Sequence, residues 1–179
     1  ADIDPVLILE LIEKEKIRSS LFVPAVILFL VSIPQAAETD FSSLKFVLYG
    51  ASPIADDTIL KAKEIMKCDL FQVYGLTETA GAITILMPED HDPEKGKLRS
   101  CGKALNSVEI KVVDDEGNEV KTGDIGEVIS KSPLNMKGYW NRPDATEEAI
   151  KDGWFYSGDA GFFDDEGYPV SYTHLTLPT

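Results

Sequence analysis

Two apolar runs, LKFVLYG (44–50) and DLFQVYG (69–75), flank the segment ADDTILKAKEIM (55–66), and this arrangement restricts the fold more than any other feature of the chain. Each run is short, carries aromatic and β-branched residues and ends in glycine, which reads as a buried strand. Between them Ile59, Ala62, Ile65 and Met66 recur at helical spacing, so the segment forms a helix with one apolar face. Strand, helix and strand in succession make a βαβ unit, and its two strands are expected to be parallel.

The flanks extend the pattern. Asp4 before Pro5 is a helix start, a capping side chain followed by a residue of preset φ, and the helical pattern runs through Ile17. SSLFV (19–23) leads into a second helix near Pro24 to Ser32. The apolar run Leu21 to Val31 falls short of the ~20 residues of a spanning helix and contains Pro24, so it is expected to be a buried element and not a membrane span. Beyond Gly81 the texture becomes β: AITILM (82–87), VEIKVV (108–113) and GEVISK (126–131) read as strands, with one short helix near Asp144 to Lys151. The expected organisation is an α/β portion over residues 1–107 and a β-rich portion over 108–168.

With 31 acids against 17 bases the formal charge is −14, which repels nucleic acid and anionic lipid. Cys68 and Cys101 lack CxxC spacing and read as free thiols, which points to a cytoplasmic setting. The chain opens on ADIDPVLILEL without a basic, cleavable leader, so its start is expected to be a fragment boundary.

Loops after parallel strands are where α/β proteins bind ligands. YGASPIADD (49–57) and YGLTETAG (74–81) are two such loops in succession, expected to converge on one ligand. Gly50 and Gly75 permit close backbone approach, Tyr74 offers a flat ring, Thr77 a hydroxyl and Glu78 a hard oxygen ligand. Together these suit a nucleotide with a metal, although each alone also suits an ordinary turn.

FQVYGLTETAG (71–81) closely resembles the signature of the adenylate-forming superfamily, and other blocks follow in family order. LKFVLYGASPI (44–54) resembles its adenine-side loop, GDIGEVISKSPLNMKGYWNRPDAT (123–146) its next block and DGWFYSGDAG (152–161) its ribose block. The resemblance implies part of a large N-terminal domain, with βαβ layers followed by a distorted, barrel-like β subdomain. It implies an enzyme that joins a carboxylate to ATP with Mg²⁺, releases pyrophosphate, and passes the acyl group of the adenylate to CoA.

By the same resemblance Thr77 lies beside the α-phosphate, Glu78 holds Mg²⁺, and Tyr74 lies against adenine. The backbone of Gly50, Ala51 and Ser52 forms the other wall, Gly75 belongs to the same nucleotide loop, and Asp159 accepts the ribose hydroxyls. Texture resembles fatty-acid and related acyl-CoA ligases, with Pro24 to Val31 matching the helix beside the acyl pocket.

Some of the family's parts do not appear. A Gly/Ser/Thr-rich phosphate loop and a C-terminal lysine domain are not among the 179 residues, so the chain alone is expected to be inactive. Ser157 stands where threonine is usual, and Thr173 and His174 stand where an Asp-Arg hinge is expected. The closing PVSYTHLTLPT (169–179) resembles translated adapter read-through and is expected to be non-native.

Two other readings compete. One is a nucleotide-binding remnant without turnover. The other is a serine hydrolase using Ser52 with Asp159 and His174, although Ile54 replaces the second glycine of a nucleophile elbow. GKLRSCGKA (96–104) has the wrong spacing for a phosphate loop.

Overall fold

The computed structural model describes residues 3–172 and divides them into two compact units, each discontinuous in sequence. Of the described residues, one comprises 3–72 with 86–99 and the other 73–85 with 100–172.

In the first unit Asp4 caps α1 (Pro5–Lys14), its Oδ1 accepting from the amides of Val6 at 3.0 Å and Leu7 at 3.2 Å. This satisfies two of the donors that a helix start leaves unpaired. The chain continues through β1 (Ser19–Phe22), α2 (Pro24–Ser32), β2 (Phe46–Gly50) and α3 (Asp56–Met66) into β3 (Asp69–Leu76). Strands β1 and β2 pair in parallel, and β3 follows β2 in the sheet order.

The helical spacing in α3 does what it predicts: Ile59, Ala62 and Met66 are buried and Ile65 packs against the core from its edge. They share that core with Ile27 and Leu30 of α2 and with Val47 and Tyr49 of β2. Full burial of such large apolar side chains stabilises by roughly 1.5–3 kcal/mol each. Helix α2 is not buried all round, because Leu28 and Phe29 on its other side are exposed. No helix among the described residues is long and apolar enough to cross a membrane.

The second unit begins within β3 and adds β4 (Gly81–Leu86), on which β5 (Lys103–Ala104) lies antiparallel. It then builds an antiparallel sheet from β6 (Glu109–Val113), β7 (Gly126–Lys131), β9 (Trp154–Phe163) and β10 (Pro169–Tyr172), in the order β10-β9-β7-β6. The short β8 (Ile150–Lys151) follows helix α4 (Pro143–Ala149) and pairs with β9. Val112, Val128, Ile129 and Phe155 are buried within this unit.

The α/β class with a β-rich second half is therefore what the chain forms. Two differences from the sequence reading stand out. The helix expected to reach Lys151 stops at Ala149, where Ile150 and Lys151 turn into strand. The segment DGWFYSGDAG (152–161), for which the sequence suggested no element, lies mostly within a ten-residue strand, β9. Residues 169–172 pair with β9 as β10, whereas Thr173 and His174 lie outside the described residues.

Candidate nucleotide site

The YGLTETAG loop is shaped by its own side chains. After β3, Thr77–Thr79 form a single 3₁₀ turn, and Ala80 then adopts the left-handed region at φ 54°. Thr79 is fully buried. Its Oγ1 accepts from the Leu76 amide at 2.9 Å and lies 3.0 Å from the Leu76 carbonyl and 2.7 Å from that of Gly81. This hydroxyl holds both ends of the turn together. Thr77 is consequently exposed and Glu78 half-exposed. Gly75 is required for packing: a Cβ there would run into the carbonyl of Gly81 on the neighbouring strand.

Asp159 is presented by a bulge. Glu127 pairs with Ala160 and Ile129 with Tyr156, so Ser157, Gly158 and Asp159 on β9 face the single residue Val128 on β7. Such a bulge frees backbone groups and re-aims a side chain, and here three of those groups, the Val128 carbonyl and the Gly158 and Asp159 amides, are met by side chains. Ser157 Oγ donates to the Val128 carbonyl at 2.6 Å and accepts from the Asp159 amide at 3.0 Å. The Gly158 amide donates to Glu127 Oε1 at 2.8 Å, with Gly158 at φ 75°. The SGD triplet is thus a bulge held by its own Ser157 hydroxyl and by Glu127 and Val128 of β7.

Tyr74 and Asp159, 85 residues apart in sequence, meet there: Tyr74 Oη donates to Asp159 Oδ2 at 2.7 Å. Burial, then the bond to this carboxylate, raises the phenol's pKa well above its ordinary value. The carboxylate keeps further lone pairs for other donors. Glu78 is held from another direction. Tyr139 Oη donates to its Oε1 at 2.7 Å, and the amide of Met136 donates to its carbonyl at 2.6 Å.

In the first unit, Gly50 ends β2 and Ala51 follows at φ 67°, a left-handed conformation costly for alanine. Ser52 lies exposed in the same loop. His91, the imidazole of that unit, is fully buried with both nitrogens engaged, Nε2 with Tyr49 Oη at 2.9 Å and Nδ1 with the Met87 carbonyl at 2.8 Å. It is not poised as a base for Ser52. The cavity of about 650 Å³ in this unit lies elsewhere, between residues 36–45 and 64–69.

Sequence reasoning did not single out Thr79, Glu127 or Tyr139 for the site. Their partners are visible only once the strands are paired, although Thr79 and Tyr139 sit inside quoted motifs.

Whether this constellation suits Mg²⁺ can be judged from its donors. Among the described residues no three His, Cys, Asp or Glu side chains cluster as a cage. Glu78 is a single accessible carboxylate. Mg²⁺ binds through one or two carboxylates and completes its octahedron with phosphate oxygens and water, so the donor set fits that ion.

The chain thus comprises an α/β unit and an antiparallel β unit, the second of which holds an aromatic ring hydrogen-bonded to an acid on a bulge. The family model described as "AMP-binding enzyme" matches residues 1–140, and the chain belongs to that family. It is 36% identical over 159 residues to the fatty acid–[acyl-carrier-protein] ligase ScoC of Streptomyces coeruleorubidus, covering 89% of this chain and 31% of that protein. It is 36% identical over 168 residues to the medium/long-chain-fatty-acid–CoA ligase FadD8 of Mycobacterium tuberculosis, covering 94% of this chain and 29% of that protein.

Among solved structures, the amide bond synthetase McbA from Marinactinospora thermotolerans matches with a TM-score of 0.89 at 35% identity, over 95% of this chain and 34% of that one. The N-terminal domain of FACL13 from Mycobacterium tuberculosis matches with a TM-score of 0.85 at 34% identity, over 97% of this chain and 42% of that one. The chain thus spans under a third of the length of the curated relatives named.

Proposed function

We propose that these residues form the nucleotide-recognition part of an ATP-dependent acyl-CoA ligase that activates a fatty or related carboxylic acid as its adenylate. The observation that carries the reading is the Tyr74–Asp159 pair. An adenosine monophosphate needs a flat apolar surface for its base and an acceptor for its two ribose hydroxyls. The pair places a ring and a carboxylate side by side within one unit. The Tyr74 bond holds Asp159 in one orientation, so the acid meets the ribose without first losing rotamer freedom.

Thr77 and Glu78, presented on the turn two residues beyond Gly75, are assigned to the phosphate side, Thr77 by its hydroxyl and Glu78 by its carboxylate. Mg²⁺ held by Glu78 would neutralise charge on the separating pyrophosphate. The assignment of Gly50, Ala51 and Ser52 to the base rests on the family resemblance. The names of ScoC and FadD8 support a fatty acyl substrate. CoA as acyl acceptor is favoured by the texture of residues 78–105 and 135–146, although the acceptor named for ScoC is an acyl-carrier protein.

Calorimetric titration of the chain with AMP tests the reading. Asp159→Asn replaces a charged acceptor by a neutral one, and affinity should fall by about 1.5–3 kcal/mol, the usual value of a hydrogen bond to a charged group. Equal affinity in two folded proteins, or no binding by the wild type, would place the ribose elsewhere.

A further inference from the structure

The segment NMKGYWNRPDAT (135–146) is distant in sequence from the TETAG turn, yet it grips Glu78 at two points. The Met136 amide holds the Glu78 carbonyl and Tyr139 Oη holds Oε1. Tyr139 is more than a third exposed, so its ring is not placed by burial. It is placed by hydrogen bonds. Its amide donates to Thr146 Oγ1 at 2.9 Å, and that hydroxyl donates to the Arg142 carbonyl at 2.9 Å, tying the turn to the first residues of α4. The Arg142 amide returns to the Tyr139 carbonyl at 3.2 Å. Gly138, at φ 149°, passes so close to Thr146 that a Cβ there would meet its side chain at 2.7 Å. Asn135 Nδ2 fastens the start of the segment to β7 through the Ser130 carbonyl at 2.9 Å.

A half-exposed glutamate on a tight turn would otherwise sample several rotamers, since its chain has three rotatable bonds. One hydrogen bond to one oxygen removes most of that freedom and leaves the other oxygen open. We infer that Tyr139 is a positioning residue for Glu78, fixing its carboxylate through Oε1 so that Oε2 faces the ligand, and that Thr146 fixes Tyr139 in turn. The inference rests on the proposed reading of Glu78 as the carboxylate that meets a phosphate-bound divalent cation. It gives a reason for the glycine, tyrosine and threonine of GYWNRPDAT: Gly138 allows the approach, Thr146 sets the backbone, and Tyr139 makes the contact.

The test has two readouts on the 179-residue chain with ¹³C-labelled glutamate. Side-chain three-bond couplings report whether Glu78 holds one rotamer. Paramagnetic broadening of the Glu78 carboxyl carbon by Mn²⁺ with ATP reports approach of the cation. Wild type should show one rotamer and strong broadening. Tyr139→Phe, which keeps the ring, should show averaged couplings and a several-fold loss of broadening. Thr146→Val should show the same in milder form, and Thr146→Ser, which keeps the hydroxyl, should behave as wild type.

A single Glu78 rotamer in folded Tyr139→Phe would overturn the positioning role, as would wild-type broadening in that variant. If Mn²⁺ with ATP leaves Glu78 sharp in the wild type, the cation assignment of Glu78 fails whichever way the couplings fall. Should Tyr139→Phe not fold, the Thr146 pair decides: equal couplings in the valine and serine variants would overturn the relay.

Discussion

Gly75 carries two demands at once, since it sits in the candidate nucleotide loop and its α-carbon lies against the Gly81 carbonyl on the neighbouring strand. A methyl group there meets backbone, which cannot rotate away. Gly75→Ala should therefore destabilise the fold by about 3 kcal/mol, at the upper end of ordinary overpacking costs, and urea unfolding measures it. A loss below about 1 kcal/mol would mean that the strands separate easily and that the glycine serves the ligand alone. The nearby alanines illustrate a different constraint. Ala51 and Ala80 both hold left-handed backbone without being glycine, a strain that persists only where neighbouring structure enforces it. At Ala80 the enforcing neighbour is Thr79.

Among the elements, the turn that follows β3 owes its shape to one hydroxyl. Thr79→Val keeps the volume but leaves the Leu76 amide without its acceptor inside the protein, a deficit of about 1–3 kcal/mol. Amide hydrogen exchange at residues 76–81 should accelerate in this variant while exchange in α3 stays at its wild-type rate. Uniform acceleration throughout the chain would instead mean that the hydroxyl supports the global fold. The bulge on β9 follows the same logic. The residues of SGD look like a simple polar turn in sequence, yet they lie inside the ten-residue strand β9. Only the register with β7 reveals that three residues face one, and Glu127, which caps the Gly158 amide, comes from that other strand.

For the molecule as a whole, the buried imidazole His91 makes stability depend on pH. It joins Tyr49 of β2 to the segment after β4, and Lys63 of α3 donates to its carbonyl at 2.7 Å. Burial above all holds its pKa below the ordinary 6.5. The unfolded chain therefore binds a proton that the folded chain refuses. This contribution is fully present above about pH 6.5 and is lost as pH falls through the lowered folded value. The urea midpoint should drop between pH 7.5 and pH 5.5, and His91→Gln should flatten the drop. An identical drop in both proteins would assign the dependence to other groups.

Strand and helix placement was legible wherever the local pattern was strong. The alternation of β2, α3 and β3 follows from short apolar runs and helical spacing, and the Asp4 cap and Pro24 start follow from local backbone chemistry. The family was legible too, because FQVYGLTETAG, GYWNRPDAT and DGWFYSGDAG are contiguous motifs that can be recognised in order. What no contiguous stretch contains is which side chains touch across a sheet. That Tyr74 bonds Asp159, that Tyr139 holds Glu78 and that Glu127 supports the SGD turn are consequences of strand register and loop closure. Each is a contact between residues 31 to 85 positions apart. Local propensity acts over a few residues, so it set the elements and their order. The directions of the carboxylates were decided by tertiary pairing, because a half-exposed acid adopts one rotamer only when a distant partner holds it.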